Sequence, residues 1–287
     1  MQITLPVAIR RENVMAKLHY KAVWLSDIHL GNKDCKAEFL LEFLHSITVD
    51  TLYLVGDIVD MWQMEKQFRW PDTHNQVMHK LMQMSNTGTR VVYLPGNHDA
   101  PIQKYSGMAF GDIAIERELV HTTATGKRYL VLHGDQFDAD VTLGKFHAWI
   151  GDKGYDLLLF LNRWYNLFRA WRNNHYWSLA GYIKKHIKGA NKAIERYRAA
   201  GCRHAADRGL DGIICGHIHH PESLMVNGIH YINDGDWIEN CSALVEDNSG
   251  QLSLIHFNEY LKHSGNVSVL ADFIKTGKAA WYCCWYV

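Results

Sequence analysis

The sequence is poor in several features that would assign it to a specialised class of protein. Its 287 residues include only 5 Pro, and 30 Lys or Arg residues balance 30 Asp or Glu residues, so the formal net charge is zero. A neutral chain argues against a general nucleic-acid binder, and no such polymer is expected as a partner. Because 47% of the residues are hydrophobic and no low-complexity tract occurs, we expect a packed globular enzyme with one large domain or two modest ones.

Cysteine pairs and long apolar runs are also missing. None of the 6 Cys forms a Cys-x-x-Cys pair, and their spacing suggests no disulfide framework, which favours a reducing compartment such as the cytoplasm. Residues 1–20 resemble a leader or edge segment, but their basic residues follow the apolar stretch, which is the wrong order for a secretory signal. No run of about 18 apolar residues exists, so no membrane-spanning helix is expected.

The apolar pattern predicts an α/β fold. Strands at 22–26, 51–55 and 89–94 alternate with helices over 34–46 and 73–86, as in a parallel sheet with right-handed crossovers. Further short strands are predicted at 112–115, 128–132, 211–216, 223–226, 229–232, 242–246 and 252–256. We therefore expect two sheets packed face to face, with helices outside them.

A helical segment interrupts this pattern, and it differs from the rest of the chain in charge. Residues 145–208 contain 13 Lys or Arg and 4 Asp or Glu, a net charge of +9, and 12 of the 34 aromatic residues. We predict that this segment is an inserted helical lid, that 21–144 and 209–260 form the core, and that 261–287 is a tail.

The composition of the predicted lid suits an anionic partner. An aromatic and cationic surface can contact lipid headgroups and apolar chains together, so association with a membrane surface is one interpretation. The alternative is a helical cap whose aromatic residues form its own core and whose Lys and Arg residues are solvated. The candidate substrate-binding residues in this segment are Arg163, Trp164 and Trp171.

Five predicted strands are each followed by a turn that is rich in potential metal ligands. The organising stretch is Tyr53–Asp60, in which an apolar strand ends at Gly56 and Asp57. The carboxyl ends of parallel strands lie at one edge of a sheet, so the ligands after different strands are expected to lie together. These candidate ligands are Asp27, His29, Asp57, Asn97, His133, His217 and His219.

This set of side chains has the balance that a dinuclear metal site needs. One anionic ligand must bridge two ions, and the other ligands are mostly neutral imidazoles and oxygens. Each ligand-rich turn alone is weak evidence for a metal site, because a single His at a strand end is more often structural. Five such turns in this order predict a metal site. We also expect the Asp-x-His spacing to place the side chains of Asp27 and His29 on one side of an extended chain. The same spacing is expected to place His217 and His219 on one side of their strand end.

The five turns together resemble a known family. Asp-x-His, Gly-Asp-x-x-Asp, Gly-Asn-His-Asp, His-Gly-Asp and Gly-His-x-His occur in that order over roughly residues 20–258, as in the calcineurin-like metallophosphoesterase superfamily. The resemblance implies a four-layer α/β/β/α sandwich and two divalent metal ions, with Mn favoured over Fe or Zn. It assigns Asp57 as the bridging ligand, with Asp27, His29 and His219 on one ion and Asn97, His133 and His217 on the other.

The resemblance also implies roles for two residues beside the metals. His98 would lie near the phosphate as a general acid or charge stabiliser, and Asp60 would hydrogen-bond His98 and orient it. Asp60 could alternatively be a simple loop cap.

Finer features are similar to one branch, the UDP-2,3-diacylglucosamine diphosphatases. These features are the His-Gly-Asp-x-x-Asp segment at 133–138, Trp62 after Gly-Asp-x-x-Asp, and the helical insert. The branch implies a nucleotide-sugar lipid as substrate and a location on the inner membrane. Two departures point to a divergent sub-branch, because His98 stands where the branch usually has Arg, and Gln63-Met64-Glu65 replaces an acidic pair. Two alternatives are a soluble phosphodiesterase acting on nucleotides or other small diesters, and a non-catalytic scaffold.

Overall fold

The computed structural model describes residues 17–138 and 188–257, and two β-sheets dominate this part of the chain. The strands are β1 Leu18–Leu25, β2 Ile47–Val55, β3 Arg90–Leu94, β4 Ala109–Phe110, β5 Ile113–Ile115, β6 Glu118–Thr122, β7 Arg128–Leu132, β8 Gly212–Cys215, β9 Glu222–Val226, β10 Ile229–Asn233, β11 Ser242–Glu246 and β12 Leu252–His256. The helices are α1 Ala37–Ser46, α2 Met61–Lys66, α3 Asp72–Asn86 and α4 Lys188–Ala206, with short 3-10 helices at Ala100–Tyr105 and Asp135–Phe137.

Parallel pairing brings the ends of the central strands to one edge of each sheet. The first sheet has the order β12-β11-β1-β2-β3-β5-β4, and β1, β2, β3 and β5 are mutually parallel. The second sheet has the order β6-β7-β8-β10-β9, in which β7, β8 and β10 are parallel. The register pairs Leu25 with Leu54 and Val55 with Leu94, so the turns after β1, β2 and β3 leave the sheet side by side.

Three apolar cores confirm the predicted layered α/β fold. One core lies between α1, α3 and the first sheet, and its buried residues include Leu40, Phe43 and Val77. The second lies between the two sheets, where Trp24 stacks on Tyr53. The third lies between α4 and the second sheet. The layers are therefore helix, sheet, sheet and helix. Among the described helices, none has both the length and the apolar character needed to cross a membrane.

The structure moves two predicted boundaries. Strand β1 begins at Leu18, inside the predicted leader, because its first residues pair with β2 from Ile47 onward. The last part of the predicted lid, 188–206, is helix α4, which packs on the outer face of the second sheet through Tyr197 and small residues such as Ala200 and Ala205. Residues 139–187 and 258–287 lie outside the described residues, as do residues 1–16, so the lid itself and the tail stay predictions.

Helix α3 holds the loop after β1 through one buried histidine. The His74 side chain is only 3% exposed, and its Nδ1 accepts a hydrogen bond from the backbone N–H of Gly31 at 3.0 Å. Burial and, to a smaller extent, the positive charge of Arg69 lower the pKa of His74 to about 4. The ring is therefore neutral in the folded protein at neutral pH, as an acceptor of this hydrogen bond must be.

We predict a stability loss at mildly acidic pH that depends on His74. The unfolded chain protonates this histidine near its ordinary pKa and the folded chain only near pH 4, so the contribution of the neutral ring is complete above about pH 6.5 and is lost as the pH falls toward 4. In urea unfolding at pH 7.5 and pH 5, wild type should lose on the order of 1 to 2 kcal/mol more than His74→Gln, which cannot titrate. His79→Gln, an exposed position on the same helix, is the control and should behave like wild type. Equal losses in all three proteins would contradict this account.

Candidate metal centre

Asp57 lies at the centre of the strand-end cluster. Its side chain is buried, and its Oδ2 lies 3.4 Å from His133 Nε2, 3.8 Å from His29 Nε2 and 3.9 Å from His98 Nε2. Its Oδ1 accepts the backbone N–H of His98 at 2.8 Å. One carboxylate therefore faces imidazoles from three different turns, which is the position that a bridging ligand requires.

The predicted ligands form two groups, and the second of them includes Asp57. Asp27, His29 and His219 make the first group, in which His219 Nε2 lies 3.1 Å from Asp27 Oδ1. Asp57, His133 and His217 make the second. Asn97 joins the second group, because its Oδ1 lies 3.2 Å from His133 Nε2. In each group of three, the potential ligand atoms lie within 4.8 Å of one another. The structure thus brings all seven predicted ligands together.

Hydrogen bonds behind the imidazoles fix which nitrogen faces the cluster. His29 Nδ1 lies 3.1 Å from Asp60 Oδ2, and His133 Nδ1 lies 2.9 Å from the carbonyl oxygen of Val55. Both oxygens can only accept, so each Nδ1 carries a proton and each Nε2 faces the cluster, where a neutral ring would present a lone pair. His217 is reversed, since its Nε2 is 2.9 Å from Asp138 Oδ1, which leaves Nδ1 as the nitrogen able to ligate.

The donor set fits a pair of divalent cations. His29 Nε2 is buried with no hydrogen-bond partner among the described residues, and two carboxylates, those of Asp27 and Asp57, lie 3.8 Å from it. A buried lone pair facing two carboxylates is costly without a cation between them. Imidazoles with carboxylate and amide oxygens suit Mn, Fe or Zn.

The ionisation of the cluster agrees with this fit. Burial raises the pKa of Asp27, but the adjacent His219, with a smaller contribution from His133, lowers that pKa overall to about 2. Asp57 behaves in the same way, since burial opposes ionisation while His133 and the neighbouring imidazoles hold its pKa well below the ordinary value. Both carboxylates are therefore ionised at neutral pH.

Asp60 supports two histidines at once. Its Oδ2 contacts His29 Nδ1, and its Oδ1 lies 2.9 Å from His98 Nδ1 while also accepting the backbone N–H of Gln63 at the start of α2. The carboxylate is thus both a helix cap and a partner of His98. Burial raises the pKa of Asp60, but its hydrogen bonds with His29 and His98 lower it overall. Asp60 is therefore an acceptor for both rings.

His98 is the most exposed of the three histidines around Asp57. Its side chain retains 28% exposure, and its ring packs on Trp62 with centroids 4.5 Å apart. Burial disfavours its charged form, but the hydrogen bond with Asp60 and the charge of Asp57 raise its pKa overall. His98 therefore presents a protonatable Nε2 beside the cluster, at a place that solvent reaches.

The predicted local geometry of the Asp-x-His pairs is wrong. Asp27, His29, His217 and His219 have φ angles of 49°, 53°, 70° and 50°, so the chain is left-handed at each of them and not extended. A backbone hydrogen bond joins the turn after β1 to the turn after β2, since the His29 N–H donates to Asp57 O at 2.8 Å.

Several supporting residues were not assigned a role from the sequence. Buried Asp99 accepts the backbone N–H groups of Ile58 and Gly96 and the hydroxyl of Tyr93, which fixes the turn that carries Asp57. Asn233 donates to the carbonyl oxygen of Gly216 and holds the turn before His217. The signals existed, because Asp99 belongs to Gly-Asn-His-Asp, and Asn233 ends a sixth apolar strand in the same way as the other five. The predicted substrate residues Arg163, Trp164 and Trp171 lie outside the described residues.

Comparisons with known proteins agree with this site. A family model described as calcineurin-like phosphoesterase matches residues 20–221, which is more than half of the chain. The UDP-2,3-diacylglucosamine hydrolase of Chromohalobacter salexigens is 30% identical over 133 residues, which cover 45% of this chain and 52% of that protein, about half of its length. The enzyme of the same name from Ectopseudomonas mendocina is 26% identical over 245 residues, covering 79% of this chain and 94% of that protein.

Solved structures show a more distant likeness. Yfce, a phosphoesterase from E. coli, aligns with a TM-score of 0.43 and 16% identity, covering 83% of this chain and 93% of the other. That likeness is too distant to bear on function, whereas the family match includes every turn of the cluster. The predicted resemblance is confirmed, and the chain belongs to the calcineurin-like phosphoesterase family.

Proposed function

We propose that the protein is a dinuclear metal hydrolase that cleaves a diphosphate in a nucleotide-sugar lipid of the UDP-2,3-diacylglucosamine type. Family membership supports the phosphoesterase class and divalent metal ions. The relatives named above support the substrate class. The single observation that carries the metal chemistry is the position of Asp57 between the two ligand groups.

The position of each predicted ligand indicates which of the two ions it would bind. Asp27, His29 and His219 would hold one ion and Asn97, His133 and His217 the other, with Asp57 shared. When bound, two such ions polarise the phosphate and clamp the attacking and leaving oxygens of an in-line displacement.

His98 acts from the open side of the cluster. With its Nδ1 directed at Asp60, its Nε2 is the nitrogen that can donate a proton to a phosphate oxygen or to the leaving group. Trp62 covers one face of the ring, which restricts its rotation.

The predicted lid completes the proposal. The part of the predicted lid before α4, residues 145–187, has 7 Lys or Arg, 2 Asp or Glu and 11 aromatic residues, a net charge of +5. This composition supports contact with the anionic surface of a membrane, where a lipid substrate would be found. Sedimentation with anionic lipid vesicles, and release by salt, checks this part. Failure of the protein to sediment with the vesicles at low salt would exclude association with a membrane surface.

Removing the charge of Asp57 should remove both ions. Asp57→Asn keeps the shape of the side chain but takes away the anion that both ligand groups share. We expect metal content, measured by elemental analysis after dialysis, to fall from about two ions per chain to less than one, and hydrolysis of an aryl phosphodiester to fall at least about 100-fold. Asp112→Asn, at an exposed turn, is the control. A variant that retains two ions and its activity would exclude the bridging role.

Substitutions at His98 and Asp60 should differ in their effects on turnover and on metal affinity. His98→Ala should lower kcat by about 10² to 10⁴ while metal content stays unchanged, because His98 is outside both ligand groups. Asp60→Asn should lower kcat and also weaken metal binding by about 10- to 100-fold, because it also orients His29. His79→Ala serves as the control. Unchanged turnover in His98→Ala would disprove its catalytic role.

The substrate is tested by comparing three phosphoesters with the Mn²⁺-loaded protein: UDP-2,3-diacylglucosamine, an unacylated UDP-sugar and an aryl phosphodiester. We expect kcat/KM to be highest for the acylated substrate, because only that substrate uses both the cluster and the predicted lid. Equal or better turnover of the small esters would agree with the metal chemistry but would indicate a soluble phosphodiesterase. The presence of His98, where the branch usually has Arg, favours this alternative. No turnover of any ester would favour a non-catalytic scaffold.

A further inference from the structure

A cavity lies on the outer face of the first sheet, near the strand ends that carry the metal cluster. It has a volume of about 460 Å³ and lies between α3, the strands β2, β3 and β5, and the segment from Ile102 to Phe110. A volume in this range is typical of small-molecule sites. No residue of the metal cluster lines it, so the cavity is a separate feature of the fold.

The lining of this cavity is almost entirely apolar. Among the described residues that line it, none is charged, and the only polar side-chain atoms are the hydroxyls of Tyr93 and Tyr105. The Tyr93 hydroxyl is already bonded to Asp99. A ligand inside the cavity would therefore find little to bond a polar group and would be held by apolar contact alone.

The mouth of the cavity is apolar as well. Met82, Tyr105, Met108 and Phe110 line it and are between 37% and 67% exposed. Exposed apolar residues that adjoin a cavity mark a binding surface more strongly than single exposed residues do. Methionine side chains are flexible and polarisable, so they can adjust to a ligand of variable shape.

These features select one class of occupant. A flexible chain of methylene groups needs no hydrogen bonds, is slender enough to enter between adjustable methionines, and can leave a polar end in water at the mouth. We propose that this cavity is a binding site for the alkyl chain of an amphiphile. The inference does not depend on the reaction at the metal cluster, because binding can be measured without turnover.

The cavity also contacts the framework of the cluster. Ile58 and Val59, which follow Asp57, form part of its wall, and Tyr93 connects it to Asp99, which accepts the backbone N–H of Ile58. A bound chain would pack against the turn that positions Asp57.

The test is displacement of fluorescent cis-parinaric acid from the full-length protein by saturated fatty acids below their micelle concentrations. Dodecanoic acid should displace the probe saturably with one site per chain. Each added methylene from 8 to 12 carbons should tighten binding by up to about four-fold, because each is transferred from water to an apolar wall. Dodecanedioic acid, with a charge at both ends, should bind at least about ten-fold more weakly than dodecanoic acid, because one carboxylate would enter the cavity.

Two variants localise the binding. Met108→Glu places a charge at the mouth and Ala109→Trp adds bulk there, and each should weaken dodecanoic acid binding at least about ten-fold. Both positions are exposed, so the fold should tolerate the changes, and circular dichroism checks it. The matched controls are Met225→Glu, at another methionine of 62% exposure against 60% for Met108, and Val120→Trp, at an exposed position on β6.

The outcomes are distinct. Saturable binding that is lost in the two mouth variants and kept in the two controls supports the site. Lack of saturable binding to wild type, or equal binding by all variants, overturns it, and the second result would place the alkyl chain elsewhere on the protein. Should one mouth variant misfold, the other still decides. Loss of hydrolysis in any variant would concern the proposed function and not this site.

Discussion

The burial of the Asp57 carboxylate is the interaction on which the site depends. An ionised carboxylate inside a protein is unfavourable unless opposite charge and hydrogen bonds surround it. Here the imidazoles of His29, His133 and His98 face the carboxylate, and the backbone N–H of His98 donates to it. The turns that supply these groups follow two strands of the first sheet and one strand of the second. The carboxylate is therefore compensated only when the strands are paired in register and the two sheets are packed together.

Crowding at the cluster also constrains the backbone. Of the seven residues other than glycine with positive φ in the described part of the chain, five are predicted metal ligands: Asp27, His29, Asp57, His217 and His219. Such conformations are costly and persist only where the surroundings impose them. A Cβ atom at Gly96 would overlap Asp57 and His133, and one at Gly216 would overlap Asp27 and Ser26. These two glycines are required for space, so the turns cannot accept a larger residue without moving a ligand.

Much of this arrangement could be predicted from the sequence, because strand periodicity is local and parallel strands end at one edge. Strands β7, β11 and β12 match their predicted bounds, and the seven candidate ligands lie together. The left-handed turns could not be predicted, since they arise from tertiary crowding. The position of α4 could not be predicted either, because its net positive charge resembles that of the predicted lid. Its buried face, which includes Tyr197, packs against the second sheet. The role of Asp99 depends on backbone groups that no sequence pattern shows.

The shared carboxylate of Asp60 has a consequence for how this enzyme can evolve. Each of its two oxygens contacts a different histidine, so one side chain orients both the predicted metal ligand His29 and His98. His98 is thereby linked to His29 through the Asp60 carboxylate. The same carboxylate caps the start of α2, which carries Trp62. Substitutions at Asp60, His98 and Trp62 should therefore show epistasis, and they are expected to change together along a lineage. A shift in reaction preference at this site is accordingly a change of a small cooperative unit rather than of one residue.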